Sequence, residues 1–501
     1  MNKLAYFILI LPVLVFGQSN NQNWVKSTTY KVASQSAITN PTVSQANVQV
    51  SYYDGLGRPI QQISGKQSNT GKDIVTHIEY DAFGRQTYEY LPLASDQSNL
   101  AFIEGATAKS AIESQYQTWY GDQNPYSEKQ LENSPLNRVL KQAAPGTAWQ
   151  MGTGKEIKFD YQTNHATEVK LFKATSTWNT ELGLYKTLVT QNGNYPANEL
   201  YKTITFDENT PTSGNGTEEF KDKEGKVVLK RTYNANDPHD TYYIYDQYGN
   251  LSFVLPPLSE GGIGQSVLDN LGYQYQYDYR NRLVAKKLPG KQWEFIVYDK
   301  LDRPIATGPA FSPYGTGVQG WMITQYDVFG RVTQTGWKNL SVTATSRKNY
   351  QTTINSGGND FTLAANDILT KNYYDNYSFT GAPSSMPTTL SDSQLALATN
   401  VKGLQTGSWV KVLDNASSTT AEISYTLYDK KYRPVRSYTK NHLGGYTQVD
   451  TNMDWAGKTM YTVTKHKRTN AATELVVKDM FSYSPQDKLL VHKQKINTLP
   501  E

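Results

Sequence analysis

The sequence predicts an all-β fold with one short helical insertion, in which repeated β-hairpins form an extended sheet. Three observations lead to this prediction. The 501 residues include 37 tyrosines and 15 phenylalanines, side chains that favour strands and bury large apolar areas. Alternating polar and apolar segments are bounded by turn residues. One turn sequence recurs along most of the chain, which indicates a repeat architecture.

Length and composition narrow the class of protein further. A chain of 501 residues is too long for one compact core, so several domains or a repeat array are expected. The mean hydropathy of −0.61 indicates a core built from aromatic rings more than from leucines. A formal net charge of +4 predicts no nucleic-acid-binding surface. The absence of cysteine excludes disulfides and a cysteine nucleophile.

The first 17 residues, MNKLAYFILILPVLVFG, have the pattern of a signal peptide. Lys3 supplies the positive charge, residues 4–16 form an apolar run too short to span a bilayer comfortably, and Gly17 suits a cleavage site. An uncleaved anchor is the alternative. A polar segment, residues 18–46, follows. We therefore expect an exported protein, extracellular or at the cell surface with the periplasm as alternative, without a transmembrane span after cleavage.

The repeat has the form Tyr-Asp-x-x-Gly-Arg followed by an apolar residue. Its clear copies are YDGLGRPI (53–60), YDAFGRQT (80–87), YDQYGNLS (245–252), YDYRNRLV (277–284), YDKLDRPI (298–305), YDVFGRVT (326–333) and YDKKYRPV (428–435). Weaker copies are KDKEGKVV (221–228), MDWAGKTM (453–460) and YSPQDKLL (483–490), with Tyr374-Asp375 as a fragment. Neighbouring copies lie a few tens of residues apart, as expected for one supersecondary unit per repeat.

Each residue type has a physical role in such a turn. The aromatic residue ends a strand, and the aspartate accepts the backbone N–H groups of the turn. The position before the basic residue requires positive φ, as in a hairpin with a G1 bulge. It holds Gly in most copies, and Asn281, Asp302 or Asp487 in others, all residue types that tolerate positive φ. Tyr432 breaks this rule, so its turn is expected to be strained or built differently.

The predicted site residues are therefore the structural residues of these turns. They are Tyr53, Asp54, Gly57, Arg58, Tyr80, Asp81, Gly84, Arg85, Tyr245, Asp246, Gly249, Tyr277, Asp278, Asn281, Arg282, Tyr298, Asp299, Asp302, Arg303, Tyr326, Asp327, Gly330, Arg331, Tyr428, Asp429 and Arg433.

A second candidate site is the alternating row YQYQYDY. Tyr273, Tyr275, Tyr277 and Tyr279 occupy every second position and would share one side of a strand. Such a row is either a stacking surface for a ligand such as a sugar or one wall of a packed sheet. We favour the packed sheet because Tyr277 also belongs to a turn copy.

Two stretches interrupt the repeat. TAKSAIESQYQTW (106–118 with Trp119) places Ala108, Ile112 and Tyr116 at helical spacing, and Ser134-Pro135 would either cap a second helix or begin a strand. Residues 355–415 are rich in Ser, Thr, Gly and Pro and predict long loops around short strands.

The turns and their linking segments resemble those of RHS-repeat (YD-repeat) proteins. VSYYDGLGRPIQQI, NPYSEKQLENSPLNRVLKQAAPG and KNHLGGYTQVDTNMDWAGKTM are similar to the N-terminal region of secreted bacterial members, which begins with a domain of unassigned function. The resemblance implies that domain at residues 47–154, a repeat array at 155–501, and a curved, shell-like sheet. Toxin-carrying members enclose a C-terminal toxin. No closing core motif or toxin module is recognisable here, so we expect a truncated member or part of a longer or split gene.

The search for catalytic chemistry gives no candidate. We predict no catalytic residue, no cofactor and no metal site, since the six histidines are scattered and no metalloprotease, phosphate-loop or nucleophile-elbow motif occurs. DPHD (237–240) is interpreted as a turn. The basic TKHKRTN (464–470) is interpreted as a solvated hairpin tip, with polyanion binding as the alternative.

Three functions remain open. The favoured one is an exported, non-enzymatic structural or interaction protein whose repeats form part of an RHS-type shell, in toxin delivery or surface interaction. The second is a carbohydrate-binding or adhesion module that uses tyrosine-rich faces. A glycoside hydrolase ranks third, because two facing carboxylates cannot be recognised from sequence. The partner is unknown, with cell-surface glycans or the remainder of a split protein as candidates.

Overall fold

The computed structural model describes residues 22–209, 215–383 and 396–497, so the predicted signal peptide lies outside the described residues. The chain divides into two compact units. Unit 1 comprises residues 1–158, 207–209 and 483–490, and unit 2 comprises residues 159–206, 210–482 and 491–501.

Unit 1 holds a five-stranded antiparallel sheet and one helix. Its elements are β1 (Asn23–Tyr30), β2 (Ala46–Tyr53), β3 (Pro59–Ser64), β4 (Ile74–His77), β5 (Tyr88–Tyr90), β6 (Leu93–Ala94), α1 (Gly105–Tyr120), β7 (Tyr126–Leu131), β8 (Val139–Ala143) and the start of β9 (Ile157–Thr163). The sheet order is β1-β2-β3-β4-β6, and β5, β7, β8 and β9 pair with one another in that order.

Helix α1 is the predicted helical insertion. Its buried Ala108 and Ile112 are four residues apart, so they lie on one face. Ile112 packs into the core of the five-stranded sheet with Val50 and Ile63. The helix ends at Gly121, whose φ of 69° allows its N–H to bond the last free carbonyls.

Unit 2 consists of a long antiparallel sheet, one separate hairpin and two helices. Its elements after β9 are β10 (Lys170–Asn179), β11 (Leu184–Asn194), β12 (Tyr201–Phe206), β13 (Thr217–Lys221), β14 (Val227–Asn234), β15 (Asp237–Tyr245), β16 (Leu251–Leu255), α2 (Gln265–Asn270), β17 (Tyr273–Tyr277), β18 (Leu283–Lys287), β19 (Trp293–Tyr298), β20 (Pro304–Phe311), β21 (Gln319–Tyr326), β22 (Val332–Lys338), α3 (Ala344–Ser356), β23 (Ile368–Asp375), β24 (Val401–Lys411), β25 (Ala421–Tyr428), β26 (Pro434–Lys440), β27 (Gly444–Met453), β28 (Thr459–Thr469), β29 (Leu475–Tyr483) and β30 (Leu489–Ile496).

Each strand from β12 to β30 neighbours the next strand in the sequence. Since direction alternates in an antiparallel meander, every second connection lies at the same edge of the sheet. The turns that carry the repeat connect β13 to β14, β15 to β16, and so on to β29 and β30. All the repeat turns of the sheet therefore lie at one edge, and the longer connections that contain α2 and α3 leave from the other.

A second layer covers part of the sheet. The β10–β11 hairpin contributes Val169, Ala174 and Val189 to a core that contains Phe220 and Leu255 of the sheet. Helix α3 closes a neighbouring core that contains Trp321, Phe361 and Ile354. Gln351 holds α3 in place, because its side-chain amide bonds both the N–H (3.0 Å) and the carbonyl (2.8 Å) of Tyr298.

The predicted fold class, all-β with repeated hairpins and a helical insertion, is confirmed. Some local predictions were wrong. Helices α2 and α3 were not predicted, TKHKRTN lies mostly within β28 instead of at a hairpin tip, and DPHD opens β15 instead of forming a turn. The segment 355–415 contains β23 and β24, and its residues 384–395 lie outside the described part.

The repeated turns as the candidate functional site

One turn illustrates how the repeat sequence is used. Asp81 opens the turn, and its Oδ1 accepts the backbone N–H groups of Phe83 (2.9 Å) and Arg85 (2.8 Å). Its Oδ2 accepts Nε of Arg85 at 2.8 Å. The N–H of Gly84 bonds the Asp81 carbonyl at 2.9 Å, and φ of Gly84 is 77°. One aspartate thus binds two backbone groups and one guanidinium.

The other clear copies repeat this geometry. The position before the basic residue has positive φ in every one, with values of 78° (Gly57), 81° (Gly249), 58° (Asn281), 59° (Asp302), 83° (Gly330) and 62° (Tyr432). Tyr432 is therefore in the left-handed region despite its side chain. Its turn has the usual bonds, since the Tyr432 N–H donates to the Asp429 carbonyl at 2.9 Å. It is not built differently, and its strain remains a prediction.

The basic residue of one turn also binds the next turn. The guanidinium of Arg303 lies over the ring of Tyr326 at 4.7 Å, and its NH1 donates to the Asp327 carbonyl at 3.2 Å. The Tyr326 hydroxyl donates back to the Pro304 carbonyl at 2.9 Å. Guanidinium–tyrosine contacts of the same kind join the pairs Arg58–Tyr80 (4.3 Å), Arg282–Tyr298 (4.8 Å) and Arg331–Tyr374 (4.4 Å). Matching tyrosine hydroxyl bonds to the residue after the basic position run from Tyr80 to Pro59, Tyr277 to Leu251, Tyr298 to Leu283 and Tyr374 to Val332.

These contacts assign each repeat residue to the sheet edge. The hydrogen bonds that the aspartates accept favour their ionised form: the backbone N–H and the guanidinium of Arg85 lower the pKa of Asp81, and Arg58 does the same for Asp54. An aspartate with these partners is poorly suited to donate a proton in catalysis.

Sequence reasoning missed one copy of the turn, in the segment ENSPLNR between β7 and β8. Ser134 takes the aspartate position, because its Oγ accepts the Leu136 N–H at 3.1 Å. Asn137 has φ of 53° and donates its N–H to the Ser134 carbonyl at 3.1 Å. Glu132 supplies the missing carboxylate, with Arg138 NH2 at 2.8 Å. The signal that could have found it is Asn-Arg three residues after Ser134, which thus lies in a turn and caps no helix.

The tyrosine row divides into two environments. Tyr273, Tyr275 and Tyr277 are half-buried in β17, and burial raises the pKa of Tyr277 to about 12. Tyr279 lies in the following turn and is 59% exposed. Its ring meets Trp178 of β10 edge-on, at 6.0 Å between centroids. The four rings therefore do not form one continuous exposed surface.

Other features that bear on function are few. Within the described ranges, no group of three or more His, Asp or Glu side chains could hold a metal ion. Among the helices of the same residues, none combines the length and apolar character needed to cross a membrane.

Gly330→Val is expected to lower the free energy of unfolding by about 1–2 kcal/mol, because a β-branched residue resists the φ of 83° at this position. A Cβ there would meet nothing closer than Arg303 at 3.8 Å, so the loss reports backbone strain. At Gly84 a Cβ would lie 2.7 Å from Arg58 NH1, so Gly84→Val should cost more. Denaturant titrations measure both.

The converse change tests the same turn geometry. Tyr432→Gly should raise stability by about 1 kcal/mol, because glycine reaches φ of 62° without strain. Unchanged stability in Gly330→Val together with a loss in Tyr432→Gly would contradict the shared positive-φ requirement.

Acid should weaken the turn-to-turn ion pairs. The Arg331 guanidinium and the Gly403 N–H lower the pKa of Asp375 to about 2. A lowered pKa contributes stability above the ordinary pKa of the carboxyl, and this contribution is lost as pH falls towards about 2. The melting temperature of Asp375→Asn should therefore be below wild type at pH 7, with the difference shrinking below about pH 4. Glu181→Gln, at an exposed turn of the hairpin, is the control; a difference independent of pH would contradict the assignment.

The comparisons with known proteins agree with an RHS-like chain. The domain of unknown function DUF6443 matches residues 26–163. Similar solved structures include a TcdB2–TccC3–Cdc42 crystal structure (13% identity, 90% of this chain and 21% of that chain, TM-score 0.45), TcdB2–TccC3 (13%, 90% and 21%, 0.44) and a Photorhabdus luminescens Tc holotoxin pore (12%, 90% and 22%, 0.38). This chain spans about a fifth of the length of those chains. No curated protein matches it. The DUF6443 match, with the repeated turns, supports an RHS-like YD-repeat protein.

Proposed function

We propose that this chain is an exported, non-enzymatic structural protein whose YD repeats form a section of an RHS-type β wall, within a toxin-delivery or surface-interaction system. The observation that carries the proposal is the turn-to-turn contact. The basic residue and the tyrosine of the repeat bind the neighbouring repeat, as Arg303 and Tyr326 do. Side chains used in this way extend a wall by one unit at a time.

The structural role is tested by removing single hydroxyls. Tyr298→Phe and Tyr326→Phe keep the rings and delete only the donors to the Leu283 and Pro304 carbonyls. Each should lower the free energy of unfolding by about 1 kcal/mol. Tyr201→Phe, on a ring that is 62% exposed, is the matched control. Full stability in both variants would remove the support for the proposal.

The carbohydrate-binding alternative is tested with the same variants. A glycan panel should show no binding by the wild-type chain. Glycan binding that is lost on changing Tyr273, Tyr275 or Tyr279, without a change in melting temperature, would favour the alternative over the structural role.

Export and assembly need separate measurements. Fractionation of the source cells with peptide mass mapping is expected to find the chain outside the cytoplasm with Gln18 as its first residue. Size-exclusion chromatography of the exported material should place it in a larger assembly. A cytoplasmic chain that retains residues 1–17 would overturn the export part of the proposal.

A further inference from the structure

The β10–β11 hairpin covers the tips of two neighbouring repeat turns. Its Trp178 ring lies 6.0 Å from Tyr279, and its Tyr185 ring lies 5.0 Å from Tyr248. Two aromatic side chains of a hairpin thus contact two successive tips. This is an established packing surface of unit 2 in which an antiparallel hairpin is the occupant.

Polar bonds fix the hairpin on those turns. Gln247, in the first covered turn, accepts the Ser176 N–H at 2.8 Å and donates to the Ser176 carbonyl at 2.6 Å. Its side-chain amide therefore pairs with the hairpin backbone as another strand would. The Ser176 hydroxyl also donates to Asp246 at 2.8 Å.

The surface continues past the hairpin without a cover. Arg347 of α3 donates to the carbonyls of Leu182 and Gly183 in the turn of the hairpin, so α3 lies directly beside it. The next two tips along the edge expose large apolar side chains: Leu301 is 70% exposed and Phe329 is 77% exposed. Their turns follow the covered turns in sheet order and are linked to them, as by the Arg282–Asp302 ion pair of 2.6 Å.

A groove of about 560 Å³ opens beside Leu301, between the turn after β19, strand β21 and the segment after α3. Ile323, Ile354 and Phe361 among its lining residues are buried core side chains, and Lys300 and Thr362 are exposed at the rim. Its volume is in the range of sites that hold one ligand group.

The walls of this groove are held in place. Lys338 bonds the carbonyls of Asp360 (3.0 Å) and Thr362 (2.9 Å), which fixes the segment after α3. Gln351 fixes the other side by its two bonds to Tyr298. A groove with fixed walls can receive a side chain without first ordering its own chain.

We propose that this groove and the adjacent Leu301 and Phe329 tips dock a β-hairpin of a partner polypeptide, with an aromatic side chain of that hairpin inserted in the groove. The occupant follows from continuity, because the neighbouring tips of the same edge are covered by an aromatic hairpin. Aromatic side chains supply large buried area at low entropic cost, which suits a shallow apolar site.

The test uses the full chain and a backbone-cyclised peptide with the hairpin sequence KATSTWNTELGLYKTLVT (residues 173–190) as probe. Fluorescence anisotropy of the labelled peptide should show saturable binding with one site. Leu301→Asp and Thr362→Trp, which place a charge at the rim and bulk over the groove, should each weaken binding by about tenfold or more. A peptide with both Trp178→Ser and Tyr185→Ser should bind at least as weakly.

Leu56→Asp is the matched protein control, since Leu56 is 80% exposed at the same repeat position in unit 1. It should bind the peptide as wild type does, and unchanged melting temperatures show that the variants are folded. Absence of saturable binding by the wild-type chain overturns the proposal. Equal binding by Leu301→Asp and Thr362→Trp also overturns it, because the peptide would then have displaced the native hairpin or bound elsewhere. Competition by maltooligosaccharides but not by the peptide would assign the groove to sugars and overturn it.

Discussion

Asp278→Ala is expected to lower the free energy of unfolding by about 3–5 kcal/mol, the range for removing one partner of a buried ion pair. The Asp278 side chain is 3% exposed and that of Arg282 is 9% exposed. The carboxylate accepts the backbone N–H groups of Arg280 (2.9 Å) and Arg282 (3.1 Å) and the Arg282 guanidinium (2.8 Å). Alanine leaves all three donors without this acceptor, and the guanidinium has little access to water.

Two variants make this result specific. Asp278→Asn keeps an oxygen for the backbone donors but loses the charge, so its loss should be intermediate. Asp54→Ala removes the same set of bonds from a turn whose aspartate side chain is 21% exposed, and water replaces them there at a smaller cost. Guanidinium titration measures all three. Equal losses at Asp54 and Asp278 would show that burial of the pair is unimportant.

Trp321→Ala is expected to cost about 3–5 kcal/mol, since truncation of a fully buried tryptophan leaves a large cavity. Trp321 is fully buried, packs against Tyr350 (5.8 Å) and Phe361 (5.6 Å), and donates its indole N–H to the Ser341 carbonyl at 3.0 Å. The change therefore removes apolar contacts between the sheet and the layer that contains α3, and it leaves a carbonyl unpaired.

Trp455→Ala is the matched control for this prediction. Trp455 lies in a repeat turn, is 43% exposed, and has the Lys431 ammonium over its ring at 3.4 Å. Its loss should cost about 1 kcal/mol, the contribution of an exposed cation–π contact. Thermal unfolding distinguishes the two; similar losses for Trp321 and Trp455 would contradict the assigned core.

The helices show why part of the fold could not be predicted. Helix α1 presents Ala108 and Ile112 at apolar helical spacing, and it was predicted. Helix α3 buries Arg347, Gln351 and Ile354, two of which are polar, so its buried face carries no apolar periodicity. Its capping box, in which Thr343 and Ser346 bond each other's backbone N–H groups, was the local signal that remained.

The strands show the same limit. TKHKRTN has a high charge and resembles a solvated tip, yet Thr447 pairs with His466, and His466 with Leu475, across β27, β28 and β29. Pairing on both sides decides the strand, and context of this kind overrides the propensity of a short segment.

The sequence by itself determined the turns, because the order of Tyr, Asp, a residue that tolerates positive φ, and a basic residue defines contacts within six positions. Only the tertiary structure decided what these residues bind beyond their own turn. Tyr277 and Tyr279 are two positions apart, yet Tyr277 bonds the Leu251 carbonyl of a neighbouring repeat and Tyr279 meets Trp178 of the hairpin. The physical reason is distance along the chain. These partners lie 26 and 101 residues away, where local sequence preference has no influence and packing alone selects the contact.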